Sequence, residues 1–513
     1  MTVSSETLSS IGAPEQLETR LGTLEFVDGV PTSAAVEKLY DHLDFVHGVN
    51  VYLDGFRGAS TYAIRKGFHD AGAEDNQILI FSELLGSESV FLTANADTVY
   101  YMAVDLTSGP MVVETPPQAL GTFDDMWWGW IIDFGLPGPD RGEGGRFLLV
   151  PPGYDGPLPD SGYHVGHSRT ARVLMAGRSF LTDDDPAPTV ETIRSTLKLY
   201  LYAPGSRGTS IATLLKGGAP PAATADVPET VFVEGSGKAF NTVPPSDFGF
   251  YELMNEVVQD ELAGSTSAEL MGQLSAIGIV KGQPFEPDER LRRILEEAAA
   301  VGAATSRALV FGPRAAEGWA YYDDSAWFNM LWAGGYTFET PPSLVTEEGI
   351  KPFPATGVRK LHSRTSFLYA ATVTTPAMCM RLTGIGSQYL IAAKDADGKH
   401  FDGAQTYEMT LPPDIPAARF WSITLYDNET RSMLQTPQRF PRAGSQSYPT
   451  PAATANADGS TTITFGPDKP DDNPEGNWIQ TTEGKGWFAL LRLYSPLEPF
   501  FDKSWRPSEI ELA

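Results

Sequence analysis

The chain has 513 residues, with 37 Lys and Arg against 65 Asp and Glu, for a formal net charge of -28. That balance excludes nucleic acid as a partner, because affinity for a phosphate backbone rests on basic side chains. The length exceeds what one hydrophobic core fills, so two or more domains are expected.

Glycine (50), proline (40) and an aromatic set of 27 Phe, 19 Tyr and 10 Trp favour turns and pleated surfaces, which points to a mainly β fold. Residues 1–20 are polar and expected to be loose. Thr32 and the run VEKLYDHLDFVHGV read as a capped amphipathic helix ending near Gly48, with Leu39, Leu43 and Val46 on one face. A short helix is expected around SESVFLT. Strands follow in DTVYYMAVDLTSGPMVVETPP, FDDMWWGWIIDFG, GGRFLLVPPGY and ARVLMAGRSFL, each ended by glycine, proline or a polar turn. Residues 21–180 thus form an N-terminal β-rich domain.

Helices are expected at Pro188–Tyr200 and in FGFYELMNEVVQDELA and PDERLRRILEEAAAVGAATSRALV, so 181–359 reads as a helical and mixed connecting region. The β signal resumes in FLYAATVTTPAMCM, AARFWSITLYD, STTITFGP and GWFALLRLYSP, giving a second β domain over 360–513. No stretch is long and apolar enough for a membrane span, and the N-terminus lacks the basic and apolar regions of a secretion signal. A cytoplasmic protein without a membrane partner is the expectation, with room for a homo-oligomer.

The N-terminal pieces NQILIFSELL, LTANADTVYYMAVDLTSGPMVVETPP and GRFLLVPPGY resemble the bacterial family DUF1254. The C-terminal pieces ARFWSITLYDNETRSML, ITFGP and NWIQTTEGKGWFALLRLYSP look like its usual partner, DUF1214. The resemblance implies two β domains connected through helices, the C-terminal one similar to a jelly-roll or lectin-like sandwich. It implies no activity and no catalytic residues.

Three segments carry candidate chemistry. In Thr93–Tyr101, Asn95 and Asp97 can build a rigid loop while Tyr100 presents a hydroxyl from the strand end; the plainer reading is an Asx-type turn that starts a strand. Alternation puts Tyr100 and Tyr101 on opposite faces. Trp128 and Trp130 share a strand face beside Asp124, where indoles can hold a flat or sugar-like ligand or can simply be core. Tyr322 repeats the aromatic-plus-acid pattern in the connecting region, and Trp421 does so in the last domain. Arg492, beside Tyr494 on one face, can grip an anionic ligand bidentately or pair with Asp427.

His164 and His167 lack the further ligands of a metal site, and Ser168 lacks the glycine of a nucleophile elbow. Cys379 reads as a buried structural thiol. Gly235–Lys238, Gly384–Gly386 and Asp395–Gly398 miss the spacings of phosphate, dinucleotide and calcium loops. No metal is expected, and no cofactor is indicated.

Three functions fit. The first is an enzyme acting on a small organic or saccharide-like substrate in an interdomain cleft, with Asp97 or Asp124 as acid/base, Tyr100 as hydrogen-bond donor and Trp128 as stacking wall. The second is a binding module without chemistry for a glycan or other small ligand. The third is a structural or assembly protein.

Overall fold

The computed structural model describes residues 3–203, 229–333, 335–340, 345–346, 349–350 and 357–513. The expected connecting region therefore lies partly outside the described residues.

Helix and strand are equally represented, at 27% each, and this corrects the mainly β expectation. The helices are too long to be connectors: α1 spans Ser33–Asp70 and a later one spans Glu289–Phe311. The jelly-roll or sandwich expected for the C-terminal part is also corrected, since among the described residues no sheet closes into a barrel or curls as a sandwich. Composition misled here because glycine serves helices as well as turns. Helix α1 runs through Gly48 for another 22 residues' worth of chain to Asp70. A Cβ at Gly48 would sit 2.8 Å from the Ala298 Cβ, so this glycine is a close-packing residue and not a stop.

The chain divides into two compact units, each described separately. One comprises 1–55, 245–259 and 266–305, and is built largely on the first part of α1 and helices between 249 and 305. There, Tyr52 and Phe250 pack with ring centroids 4.3 Å apart. The other unit comprises 56–244, 260–265 and 306–513 and contains both sheets of the hollow.

Its N-terminal half holds β1 (Ile78–Ile80), β2 (Thr98–Val104), β3 (Met111–Glu114), β4 (Ala119–Asp125), β5 (Trp130–Gly135), β6 (Arg146–Val150), β7 (His164–His167), β8 (Val173–Phe180), β9 (Lys198–Leu201) and β10 (Phe232–Glu234). Six of them form a sheet in the order β10-β1-β2-β8-β4-β5, and β7-β6-β3-β9 form another. Between β8 and β9, α2 covers Pro186–Thr196, started by Asp185, whose side chain accepts from the Ala187 N–H.

The run FLYAATVTTPAMCM, expected as strand, is instead α3 (Leu361–Ala370), a loop, and α4 (Pro376–Cys379). Pro376 sits in the first turn of α4 and Thr375 caps it, an N-terminal arrangement that favours helix over strand. The segment SESVFLT, expected as helix, contributes only the two-residue strand Ser89–Val90.

The C-terminal half holds β11 (Ser387–Ala392), β12 (Tyr407–Leu411), β13 (Ala417–Asp427), β14 (Arg442–Gly444), β15 (Thr461–Gly466), β16 (Trp478–Gln480), β17 (Gly486–Pro496) and β18 (Glu511–Leu512). They form a sheet in the order β11-β17-β13-β14, extended by Phe401–Asp402 against β17, and a second sheet β16-β15-β12-β18.

Alternation assigns the faces. Val99, Tyr101 and Ala103 of β2, Phe123 of β4 and Met175 of β8 enter one core. Ile423, Leu425, Leu491 and Leu493 of β13 and β17 enter another with Trp421 and Trp487. The residues between them on β2, β8, β11 and β17 point the other way, into a common hollow.

Candidate anion-binding hollow

The hollow has a volume of about 140 Å³ and is lined from both sheets. Tyr100 and Met102 of β2, Ala176 and Arg178 of β8, and Leu120 and Thr122 of β4 supply one side. Ser387, Tyr389 and Ile391 of β11 with Leu490 and Arg492 of β17 supply the other. The i, i+2 spacing within each strand is what brings them to one face. Residues 91–95, Asn329–Leu331 and the loop after α3 complete a wall dominated by Phe91, Leu92, Phe367, Val373 and Met378.

Its polar end consists of two cross-strand pairs. Tyr100 lies opposite Arg178 in the antiparallel β2–β8 register, and Tyr389 lies opposite Arg492 in the β11–β17 register. Nη2 of Arg178 donates to Ser387 Oγ at 2.9 Å and to the Tyr389 hydroxyl at 3.1 Å. The Ser387 and Tyr389 oxygens are themselves 2.5 Å apart. Nη2 of Arg492 donates to the Thr93 carbonyl at 2.8 Å and the Tyr426 hydroxyl at 2.6 Å, while its Nη1 has no hydrogen-bond partner among the described residues. Asn95 does build an Asx turn, accepting from the Asp97 N–H at 2.9 Å, and its Nδ2 donates to the Tyr100 hydroxyl at 2.7 Å. Turn and wall are therefore one structure.

Charge at this end is unbalanced. Asp97, the carboxylate whose field reaches Arg492, is held 2.8 Å from Arg442 Nε with both side chains fully buried. Its other oxygen accepts from Ser422 and Tyr494. No carboxylate of the described residues makes an ion pair with Arg178 or Arg492. Burial raises Tyr100, against the opposing effect of Arg178 and Arg492. Burial also opposes ionisation of Tyr389, but there Arg178, the Ser387 hydrogen bond and Arg492 prevail and hold the phenol below the ordinary tyrosine range. The acidic composition thus does not describe this site, whose charged groups are arginines.

The stretch 76–201 matches the family described as Protein of unknown function (DUF1254), and 386–498 matches Protein of unknown function (DUF1214). The chain thus carries a DUF1254 match followed by a DUF1214 match. One Tyr–Arg pair of the hollow lies in the DUF1254 match and the other in the DUF1214 match. The fold is shared with the crystal structure of the VPA0106 protein from Vibrio parahaemolyticus, at 17% identity and a TM-score of 0.50, over 92% of this chain and 100% of that one. An uncharacterized protein from Burkholderia cenocepacia aligns at 11% identity and a TM-score of 0.39, over 94% of this chain and 97% of that one. No curated protein matches the chain.

The residues singled out from sequence separate into five places. Asn95, Tyr100 and Arg492 line the hollow. Arg492 does not pair with Asp427, which faces Lys485 at 3.0 Å. Asp97 is not among the lining residues and sits in the buried Arg442 ion pair.

Asp124 is buried one hydrogen bond behind the hollow: lining residue Thr122 donates to its Oδ1 at 3.2 Å, and the Thr374 N–H donates to its Oδ2 at 3.0 Å. Burial pushes its carboxyl well up, with Asp133 and Asp125 adding to the effect. Asp133 receives Trp130 Nε1 at 2.9 Å and Thr375 Oγ1 at 3.0 Å, yet burial still pushes it up to about 6.

Trp128 and Trp130 border a different depression, shared with Arg169 and Lys360. Tyr322 and Trp421 are core residues; the Tyr322 hydroxyl donates to the Trp505 carbonyl at 3.2 Å. Burial pushes the Cys379 thiol up to about 12, so it is inert at neutral pH. Among the described residues, no cluster of His, Cys, Asp or Glu could hold a metal ion, and no helix is long and apolar enough to cross a membrane.

Arg178, Ser387 and Tyr389 were missed from sequence. Arg178 carried the signal that singled out Arg492, an arginine inside an apolar strand run (ARVLMAGRSFL). Nothing local marks Ser387 or Tyr389, because their role depends on a sheet more than 200 residues away in sequence.

Proposed function

We propose that the hollow binds a small organic acid, its apolar body among the side chains of the wall and its carboxylate at Arg178 and Arg492. The observation that carries this is the pair of guanidiniums without carboxylate partners at the end of a largely apolar cavity. Buried positive charge without a partner is costly, and planar guanidinium forks match carboxylates. Size bounds the body: a cavity of about 150 Å³ takes benzene, so the hollow of about 140 Å³ matches a body of roughly six carbons, as in benzoate or hexanoate, with the carboxylate at the arginine end. A saccharide-like ligand is disfavoured, because a wall with far more Phe, Leu, Met and Ala than Thr and Asn leaves most of its hydroxyls unpaired.

Acid/base work by Asp97 or Asp124 is disfavoured too. Neither lines the hollow, and each is engaged elsewhere: Asp97 by Arg442, Ser422 and Tyr494, and Asp124 by Thr122 and the Thr374 N–H.

Calorimetric titration with benzoate and hexanoate, against benzyl alcohol and hexanol, tests the reading. The acids are expected to bind and the alcohols to bind about ten- to a hundredfold more weakly, the worth of one hydrogen bond to a charged group. Arg178→Gln and Arg492→Gln are expected to lose a similar factor for the acids only. Equal affinity for acids and alcohols, or no binding of either, rejects it.

A further inference from the structure

Tyr389 sits beside both arginines of the hollow. Its hydroxyl is in contact with Arg178 Nη2 from β8 and Ser387 Oγ from its own strand, and its ring lies 5.7 Å from the Arg492 Cζ of β17. Tyr100 of β2 and Tyr494 of β17 are further ionisable groups close enough to interact with it. Asn329 holds its backbone, donating to the Tyr389 carbonyl at 2.8 Å. The carboxylate of this network, Asp97, is committed to Arg442 and to the Tyr494 hydroxyl. With the hollow empty, the group best placed to supply negative charge to Arg178 is therefore the Tyr389 oxygen.

An entering carboxylate competes for that role, and two anions side by side on one guanidinium repel each other. We propose that Tyr389 is the proton-exchanging residue of the hollow, so that an organic acid anion and a proton enter together; this rests on the anion-binding reading above. The step balances simply. A solvent proton forms the O–H bond on the phenolate oxygen, the Arg178 hydrogen bond passes from phenolate to carboxylate, and no other bond changes.

Tyr389 is also held below the ordinary tyrosine range, whereas burial raises Tyr100 and Tyr494. The sign of the linkage follows. Proton uptake is absent well below the pH at which ligand-free Tyr389 ionises, and grows as the pH rises through that point. Affinity for the acid falls over the same range, by up to about tenfold per pH unit.

The experiment is calorimetry of the full chain with benzoate and hexanoate between about pH 7 and 10, in buffers of different protonation heat. Tyrosinate absorbance is followed alongside, in parent and Tyr389→Phe. Uptake that climbs toward one proton per acid, and vanishes in Tyr389→Phe, is expected. So is a tyrosine that ionises early in the free protein and later with acid bound. Ser387→Ala removes a hydrogen bond to the phenolate and is expected to move the onset of uptake to higher pH, which keeps the test open if Tyr389→Phe does not fold. Acid binding without uptake at any pH, uptake that persists in Tyr389→Phe, or an onset unmoved in Ser387→Ala overturns this inference alone. No binding of any acid overturns the anion-binding reading and this inference with it.

Discussion

At the scale of single residues, the buried carboxylates divide by whether a cation meets them. Asp97 has Arg442 at 2.8 Å with neither side chain exposed. Asp97→Asn keeps the shape and leaves the Arg442 charge unpaired in the interior, so a loss of about 3–5 kcal/mol is expected in urea unfolding. Unchanged stability would return Asp97 to the list of groups free to act on a ligand.

Asp133 is the opposite case, with hydrogen bonds from Trp130 and Thr375 and a pKa pushed up to about 6 by burial. A carboxyl raised on folding stabilises the fold when protonated. Its contribution is complete below the unfolded value of about 4 and is lost as the pH rises through the folded value. Asp133→Asn removes that dependence. Relative to the parent, the variant is expected to gain roughly 2–3 kcal/mol between pH 4 and pH 8, read as the change in the difference between their unfolding free energies. A difference that does not move with pH would mean that Asp133 is ionised throughout.

At the scale of elements, α1 shows how glycine pattern and helix length part company. A Cβ on Gly58 would lie 2.5 Å from the Trp127 ring, and that ring is pinned by its Nε1 hydrogen bond to Ser265 Oγ at 3.0 Å. Alanine is the better helix former by about 1 kcal/mol, but overpacking against an immobile ring costs about 1–3 kcal/mol, so the clash wins. Gly58→Ala is expected to lower the thermal midpoint, and a raised midpoint would show that Trp127 can give way.

The same element explains what was legible beforehand. Strands β13 and β17 coincide with AARFWSITLYD and GWFALLRLYSP, because long apolar runs with β-branched and aromatic residues declare themselves locally. Helix α1 past Gly48 and helix α3 do not, because their glycines and buried serines and threonines are explained only by partners. Ser363, Thr365 and Ser366 of α3 are all buried, which no helical periodicity of polar and apolar residues announces. At the hollow, Asn95, Tyr100 and Arg492 could be named from local chemistry; Arg178, Ser387 and Tyr389 acquire meaning only from the pairing of strands.

At the scale of the whole molecule, the hollow joins distant parts of the chain that are also fastened behind it. Arg492 holds the Thr93 carbonyl, Tyr426 holds the Ala94 carbonyl, and Asp97 accepts from Ser422 and Tyr494. These bonds tie the loop before β2 to β13 and β17, so the two sheets cannot separate at the hollow without breaking a buried polar network. A carboxylate that engages both Arg178 and Arg492 adds a further tie between β8 and β17. A ligand that binds only the folded form stabilises it by about 2.7 kcal/mol at a hundred times its Kd. Amide hydrogen exchange with saturating benzoate is therefore expected to slow together in β2, β8, β11 and β17, because opening either sheet there releases the same acid. Protection confined to β2 and β8, or to β11 and β17, would mean that the acid is held by one Tyr–Arg pair alone and that the hollow does not act as a single site.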